Sequence, residues 1–208
     1  YSNTMNTFNK KSLCVALAAF GAAGAAQAVN VSSDGLGQVL LYPYYTVRNG
    51  PDGNAYNTLL SVVNSTASAK AVKVRFIEGK NSQEVLDFNL YLSAHDVWTA
   101  AVVPTVDGAK IVVGETAPGV KDTSCTLPNN VDGKAFVNFA YLSDKGGTSL
   151  DRTREGYIEI IEMGTIVGGS TLESAVTHVA GVPDDCAYVT NATAGAAVKD
   201  TVILGNSG

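Results

Sequence analysis

Ala71-Val72-Lys73-Val74-Arg75-Phe76-Ile77, followed shortly by Leu86-Asp87-Phe88-Asn89-Leu90-Tyr91-Leu92, decides how this chain folds. Val72, Val74 and Phe76 point one way and Lys73 and Arg75 the other. In the second stretch Leu86, Phe88, Leu90 and Leu92 oppose Asp87, Asn89 and Tyr91. A period of two puts successive side chains on opposite faces of a strand. One apolar and one polar face is the signature of an antiparallel sheet lying on a core.

The pattern extends in both directions. Residues 38–47, Gln-Val-Leu-Leu-Tyr-Pro-Tyr-Tyr-Thr-Val, are rich in β-formers and run into the turn cluster Asn49-Gly50-Pro51-Asp52-Gly53-Asn54. Pro43 has no N–H for a ladder, which predicts an edge strand or a bulge there. Residues 56–64 and 95–103 read as further strands. Asp107-Gly108 then predicts a type I′ hairpin into residues 110–113. Residues 134–142 and 157–163 are apolar on both faces, as central strands are. The Gly, Pro, Asn and Asp between 116 and 132 place Cys125 in a long loop.

One helix is expected. Ser170-Thr171-Leu172-Glu173 is a capping box, and Leu172, Ala175, Val176 and Val179 follow at i, i+3, i+4 and i+7 before Gly181 and Pro183. The fold class is therefore mainly β: an immunoglobulin-like antiparallel β-sandwich with one short covering helix at about residues 171–180.

The start of the chain is read differently. Lys10 and Lys11, an Ala/Leu-rich run over 13–26, and Ala26-Gln27-Ala28 have the layout of a secretory signal peptide. Cleavage is expected after Ala28, with Met5 as initiator and residues 1–4 as upstream sequence. The apolar run falls short of the roughly 20 strongly apolar residues a span requires, so no membrane span is expected after leader cleavage. Cys14 lacks the small-residue pattern of a lipidated cysteine. The domain reading is thus 1–28 as upstream residues plus signal peptide and 29–208 as the β-sandwich. The apolar run near 201–204 suggests a reading frame truncated at its C-terminus.

The chain carries 14 Lys+Arg against 19 Asp+Glu, and without Lys10 and Lys11 the balance becomes 12 to 19. No basic stripe exists for a phosphate backbone, so nucleic acid is excluded as a partner. Hydrophobic residues make up 46% of the chain, enough for a true core. Two cysteines remain in the exported part, Cys125 and Cys186. An even count in an oxidising compartment reads as a disulfide. It closes a loop of roughly 60 residues, for which chain entropy gives about 4 kcal/mol at most. Zinc lacks support, because neither cysteine has a C-x-x-C partner and His95 and His178 stand alone in the sequence.

Asn57-Thr58-Leu59-Leu60-Ser61-Val62-Val63-Asn64, Lys73-Val74-Arg75-Phe76, residues 84–93, Asp96-Val97-Trp98-Thr99 and Arg154-Glu155-Gly156-Tyr157-Ile158-Glu159 together resemble a family of uncharacterised exported and cell-surface proteins of Gram-negative bacteria. The resemblance implies envelope location and an immunoglobulin-like sandwich. It carries no catalytic residue.

Candidate sites follow from residue chemistry. Tyr42, Tyr44, Tyr45 and Tyr56 could stack against the apolar faces of sugar rings. Simple alternation puts Tyr42 and Tyr44 on one face and Tyr45 on the other. His95-Asp96 sits at a strand corner, where turn chemistry explains it. Asp52 and Asn54 offer oxygen ligands without the spacing of a calcium loop. Arg152, Arg154, Glu155, Glu159 and Glu162 read as solvated ion pairs. A Gly-x-Ser-x-Gly elbow does not occur. No metal, cofactor or catalytic residue is assigned. The leading functional reading is a non-catalytic exported structural or adhesive protein of the periplasm, outer surface or medium, with envelope or surface proteins or glycans as partners. A carbohydrate-binding module or glycan-acting enzyme is the alternative. A pilus-type subunit is a further one, although its cysteines lie early in the chain and these do not.

Overall fold

The computed structural model describes residue 33, residues 36–191 and the backbone of 202–203. The leader reading over 1–28 lies outside the described residues. Two antiparallel sheets face each other. The larger contains β1 (Val39–Thr46), β3 (Lys70–Glu78), β4 (Glu84–Leu92), β9 (Thr126–Leu127) and β10 (Glu155–Ile166) in the order β1-β10-β3-β4-β9, with β13 (Val202–Ile203) also paired to β10. The smaller contains β2 (Thr58–Val63), β5 (Val97–Pro104) and β6 (Ala109–Val113) in the order β2-β5-β6. The architecture is the expected antiparallel sandwich. Its strand order is its own, with β10 inserted between β1 and β3.

The core lies between the sheets because both inner faces are apolar. Val74, Phe76, Phe88, Leu90, Ile158 and Ile160 meet Leu60, Val62, Trp98, Val102 and Ile111, all buried. Phe88 contacts Trp98 edge-on at 5.8 Å between ring centres. On the opposite face, Lys73 pairs with Asp87, and Arg75 with Glu84 and Glu159. The alternation therefore has the predicted sense, but only along part of the sheet. Farther along, Ala71 and Tyr91 of that same outer face are buried under a second apolar cluster with Leu172, Val176 and Val189.

That cover is built from α1 (Thr171–Val176), the hairpin of β11 (His178–Val179) and β12 (Val182–Pro183), and α2 (Cys186–Thr190). Ser170 caps α1, its Oγ accepting from Glu173 N at 3.1 Å, while the Glu173 carboxylate accepts from Gly169 N rather than from Ser170. The helix is shorter than its periodicity predicts. Thr177 is extended and Val179 is 61% exposed, because Ala180 (φ +53°) and Gly181 (φ +85°) turn the chain into a hairpin. Positive φ at both central residues is what a type I′ turn requires. Asp107-Gly108 does not make one: neither has positive φ, and a four-residue loop closes on Thr105 N donating to Gly108 O.

Residues 134–142 are not a central strand. Lys134 and Phe136 bond to β6, Val137 N then donates to Val85 O of the other sheet, and a 3-10 turn follows over Phe139–Ser143. The run crosses from one sheet to the other. Phe136 and Tyr141 plug the core, while Phe139 and Leu142 are exposed. Two short strands, β7 (Glu115–Ala117) and β8 (Val120–Lys121), form a small hairpin before β9. Among the described residues no helix is long and apolar enough to cross a membrane.

Candidate functional site: a cleft at the Pro43 bulge

β1 is an edge strand of its sheet among the described residues, and it also carries a bulge. Tyr42 opposes Ile158 and Tyr45 opposes Gly156, so three steps along β1 match two along β10. A bulge shifts the parity of everything beyond it. Tyr42 and Tyr45 consequently both turn toward the core, and Tyr44 faces outward, which corrects the split expected from strict alternation. Tyr42 is half-buried and donates to Ser61 O. Tyr45 is fully buried, donates to Thr153 O at 3.2 Å and packs edge-on against Phe76 and Phe136. Tyr44 is 58% exposed, and its hydroxyl donates to Glu155 Oε2 at 3.1 Å. Tyr56 is exposed over the turn at Gly50 and does not line the same surface. The four tyrosines are therefore not one platform.

Tyr44 forms a wall of a surface cleft of about 650 Å³, with Tyr157 also in the lining. Gly79 and Gly156 contribute bare backbone to it. Gly156 is dictated by packing: a Cβ there would lie 1.9 Å from Ile77 O. Gly79 is not so constrained, since its Cβ would meet only the backbone of residues 155 and 156 at 3.6–3.9 Å. The rim is charged and internally paired. Arg48 Nε lies 2.7 Å from Glu155 Oε1 and its Nη1 3.2 Å from Asp151 Oδ2, while Lys80 Nζ donates to Gly146 O at 2.8 Å.

The cleft rests on a buried ionic network. Arg152, expected to be solvated, is 7% exposed; it reaches Glu78 Oε1 at 2.9 Å and Asp144 Oδ2 at 2.7 Å, and lies over the Tyr141 ring. Burial alone would raise the Glu78 carboxyl, but Arg152 and the amides of Gln83, Asn81 and Lys80 outweigh it and hold it below the usual carboxylate range. Asp144 is also held well below the usual carboxylate range, chiefly by its hydrogen bonds from Arg152. Burial pushes Tyr45 and Tyr141 upward, so both stay neutral hydroxyls. Glu78 accepts from three amides and a guanidinium, which leaves it no proton to exchange with a ligand.

A second cluster brings together residues that are distant in sequence. His178 Nδ1 is 2.8 Å from Ser93 Oγ and 3.5 Å from Asp96 Oδ2, so His178 is not alone. Ser93 and Asp96 both approach the same ring nitrogen. A nucleophilic triad needs the serine and the acid on opposite nitrogens of the ring. Asp96 is moreover occupied by the amides of Ser93 and Val97, which makes it a corner cap. His95 takes φ +56° in the same turn.

Cys125 and Cys186 stand at disulfide distance with Cα atoms 5.2 Å apart, tying α2 to the loop before β9. Asp52 is used locally: its oxygens accept from Asn54 N and Nδ2. Among the described residues no group of three or more His, Cys, Asp or Glu is placed to hold a metal ion. Pro43 and the tyrosines were conspicuous in the sequence, whereas Gly79, Lys80 and Asp151 were not. Arg154-Glu155-Gly156-Tyr157 stood out as a segment without showing that it lines a cleft.

The class defined by these features is an antiparallel β-sandwich with a disulfide-tied helical cover and an ion-paired cleft on its edge. Comparison with protein-family models, with curated proteins and with solved structures returns no match.

Proposed function

We propose that this chain is an exported, non-catalytic structural or adhesive module of a bacterial envelope or surface. The observation that carries the reading is the cleft at Pro43. Its charged groups neutralise one another, its deepest carboxylate is saturated with hydrogen bonds, and its surface side presents an exposed aromatic ring. Such a site can hold a ligand and has no free acid–base pair with which to transform it. The leader-like residues 1–28 and the paired cysteines support an oxidising destination.

Fractionation of expressing cells, with N-terminal sequencing, tests the location. The protein should be found outside the cytoplasm and begin at Val29; full retention in the cytosol with the leader intact would overturn it. Attachment of protein-coated beads to bacterial or host surfaces tests the role. Gly79→Val, which adds a branched side chain to the lining, should reduce attachment, and unchanged attachment would remove the cleft from the account.

A further inference from the structure

We infer that the cleft at the Pro43 bulge binds a neutral glycan, with one sugar ring stacked on Tyr44 and its hydroxyls bridged between Arg48 and Glu155. The inference rests on the adhesive reading above and names the ligand class for it.

Charge comes first. The lining holds Arg48, Lys80 and Arg152 against Glu78, Asp151 and Glu155, and the whole chain is net −5. A balanced lining on an acidic protein gives no attraction for phosphate, uronate or sialate, and no excess carboxylate for a basic peptide. The remaining candidates are polar but uncharged.

Hydrogen-bond geometry narrows them. Arg48 is pinned by Glu155 at 2.7 Å and by Asp151 at 3.2 Å, so a fixed array of guanidinium donors lies beside carboxylate acceptors. Vicinal hydroxyls donate and accept at neighbouring positions, and such an array satisfies both functions at once. The side chains are already ordered by one another, which lowers the entropy lost on binding.

The aromatic wall supplies the apolar contact. Tyr44 is 58% exposed, yet its hydroxyl is anchored to Glu155, which ties the exposed side chain to the rim. A pyranose presents a patch of C–H bonds of comparable size to a phenol ring. Because Gly79 adds no side chain to the lining, a ring leaning on Tyr44 can come close to the backbone there. The volume, about 650 Å³, is in the range of small-ligand sites.

Three other sites carry less. The apolar groove of about 560 Å³ on the outer face of the β2-β5-β6 sheet, with Leu59 and Val112, has nothing beside it to identify an occupant. The Ser93–Asp96–His178 cluster is accounted for as a corner cap. The cavity of about 430 Å³ beside Cys186 has polar groups already engaged by the protein, as when Asp132 accepts from Val113 N of β6 and Asp122 from Ser124 Oγ.

The test is retention of the purified full-length chain on immobilised neutral gluco-, galacto- and manno-oligosaccharides, beside sialylated and uronate-containing ones. At least one neutral glycan should be bound in preference to the acidic set. Tyr44→Ala should weaken that binding about tenfold, the value of one aromatic contact. Tyr44→Phe, which keeps the ring, should stay within about threefold. Gly79→Val should abolish binding with an unchanged thermal melt, and Leu59→Lys, outside the cleft, should leave it intact. No retention on neutral glycans, preference for the acidic set, or binding indifferent to Tyr44→Ala and Gly79→Val would each overturn the inference. Loss of bead attachment in Gly79→Val without any glycan binding would overturn the glycan alone and leave the adhesive reading standing. Glycan binding by a protein retained in the cytosol would instead sink the exported adhesive reading and keep the ligand.

Discussion

The guanidinium carbon of Arg152 lies 3.9 Å from the centre of the Tyr141 ring, and Tyr141 is completely buried. The contact is a cation–π pair whose cation also serves Glu78 and Asp144. Among the described residues, the Tyr141 hydroxyl is the buried side-chain polar atom with no hydrogen-bond partner.

That geometry separates two substitutions. Arg152→Met leaves Glu78 buried without its counter-charge and should cost about 3 to 5 kcal/mol in urea unfolding. Tyr141→Phe keeps the ring under the cation and removes an unsatisfied hydroxyl, so it should be neutral or stabilising by up to about 1 kcal/mol. A large loss in Tyr141→Phe would show that the hydroxyl has a partner.

The same network sets the response to acid. Glu78 and Asp144 are both held below their unfolded values. A lowered carboxyl contributes stability that is present above the unfolded value, near pH 4, and is lost as pH falls through the folded one. Stability should therefore hold from neutral pH down to about pH 4 and decline below it. Asp144→Asn should flatten that decline; an unaltered acid limb would place the sensitivity elsewhere.

The assignment of sheet faces predicts a contrast at neighbouring positions. Phe88 is fully buried against Trp98, so Phe88→Ala should cost about 3 to 5 kcal/mol. Lys73 forms a partly exposed pair with Asp87, and Lys73→Ala should cost under about 0.5 kcal/mol. Similar losses for the two would put the faces in doubt.

Glycines 79 and 156 should also differ. Gly156→Ala drives a methyl into Ile77 O and should destabilise by about 3 kcal/mol or more. Gly79→Ala meets only ordinary contacts and should stay within about 0.5 kcal/mol. Thermal melts of the two variants decide it.

Reduction should act on the helical cover. The Cys125–Cys186 pair closes 61 residues of chain, and its loss should cost up to about 4 kcal/mol, seen as a lower melting temperature in Cys125→Ser/Cys186→Ser. In native, unreduced protein neither cysteine should react with a thiol label. Labelling of both would rule the bridge out.

The sequence by itself determined the class of fold. The period-2 runs at 71–77 and 86–92 admit one way of hiding Val74, Phe76, Phe88 and Leu90, and Pro43 declared an edge or a bulge through its missing N–H. These are local properties: alternation and backbone chemistry act over a few residues and need no partner to be read. Where a partner decides, the reading failed. Residues 134–142 were apolar enough for a central strand, yet they cross between sheets, because Phe136 N bonds to Ala109 of β6 and the next amide, Val137 N, to Val85 of β4. The helix at 171 stopped at Val176 because the chain turns back at Ala180-Gly181. Only the tertiary structure set Tyr44 apart from Tyr42 and Tyr45, since the bulge is defined against Ile158 and Gly156 of a strand more than a hundred residues away. The cleft, the burial of Arg152 between Glu78 and Asp144, and the meeting of His178 with Ser93 are likewise long-range contacts, and neither charge nor periodicity along the chain encodes which distant groups will neutralise one another.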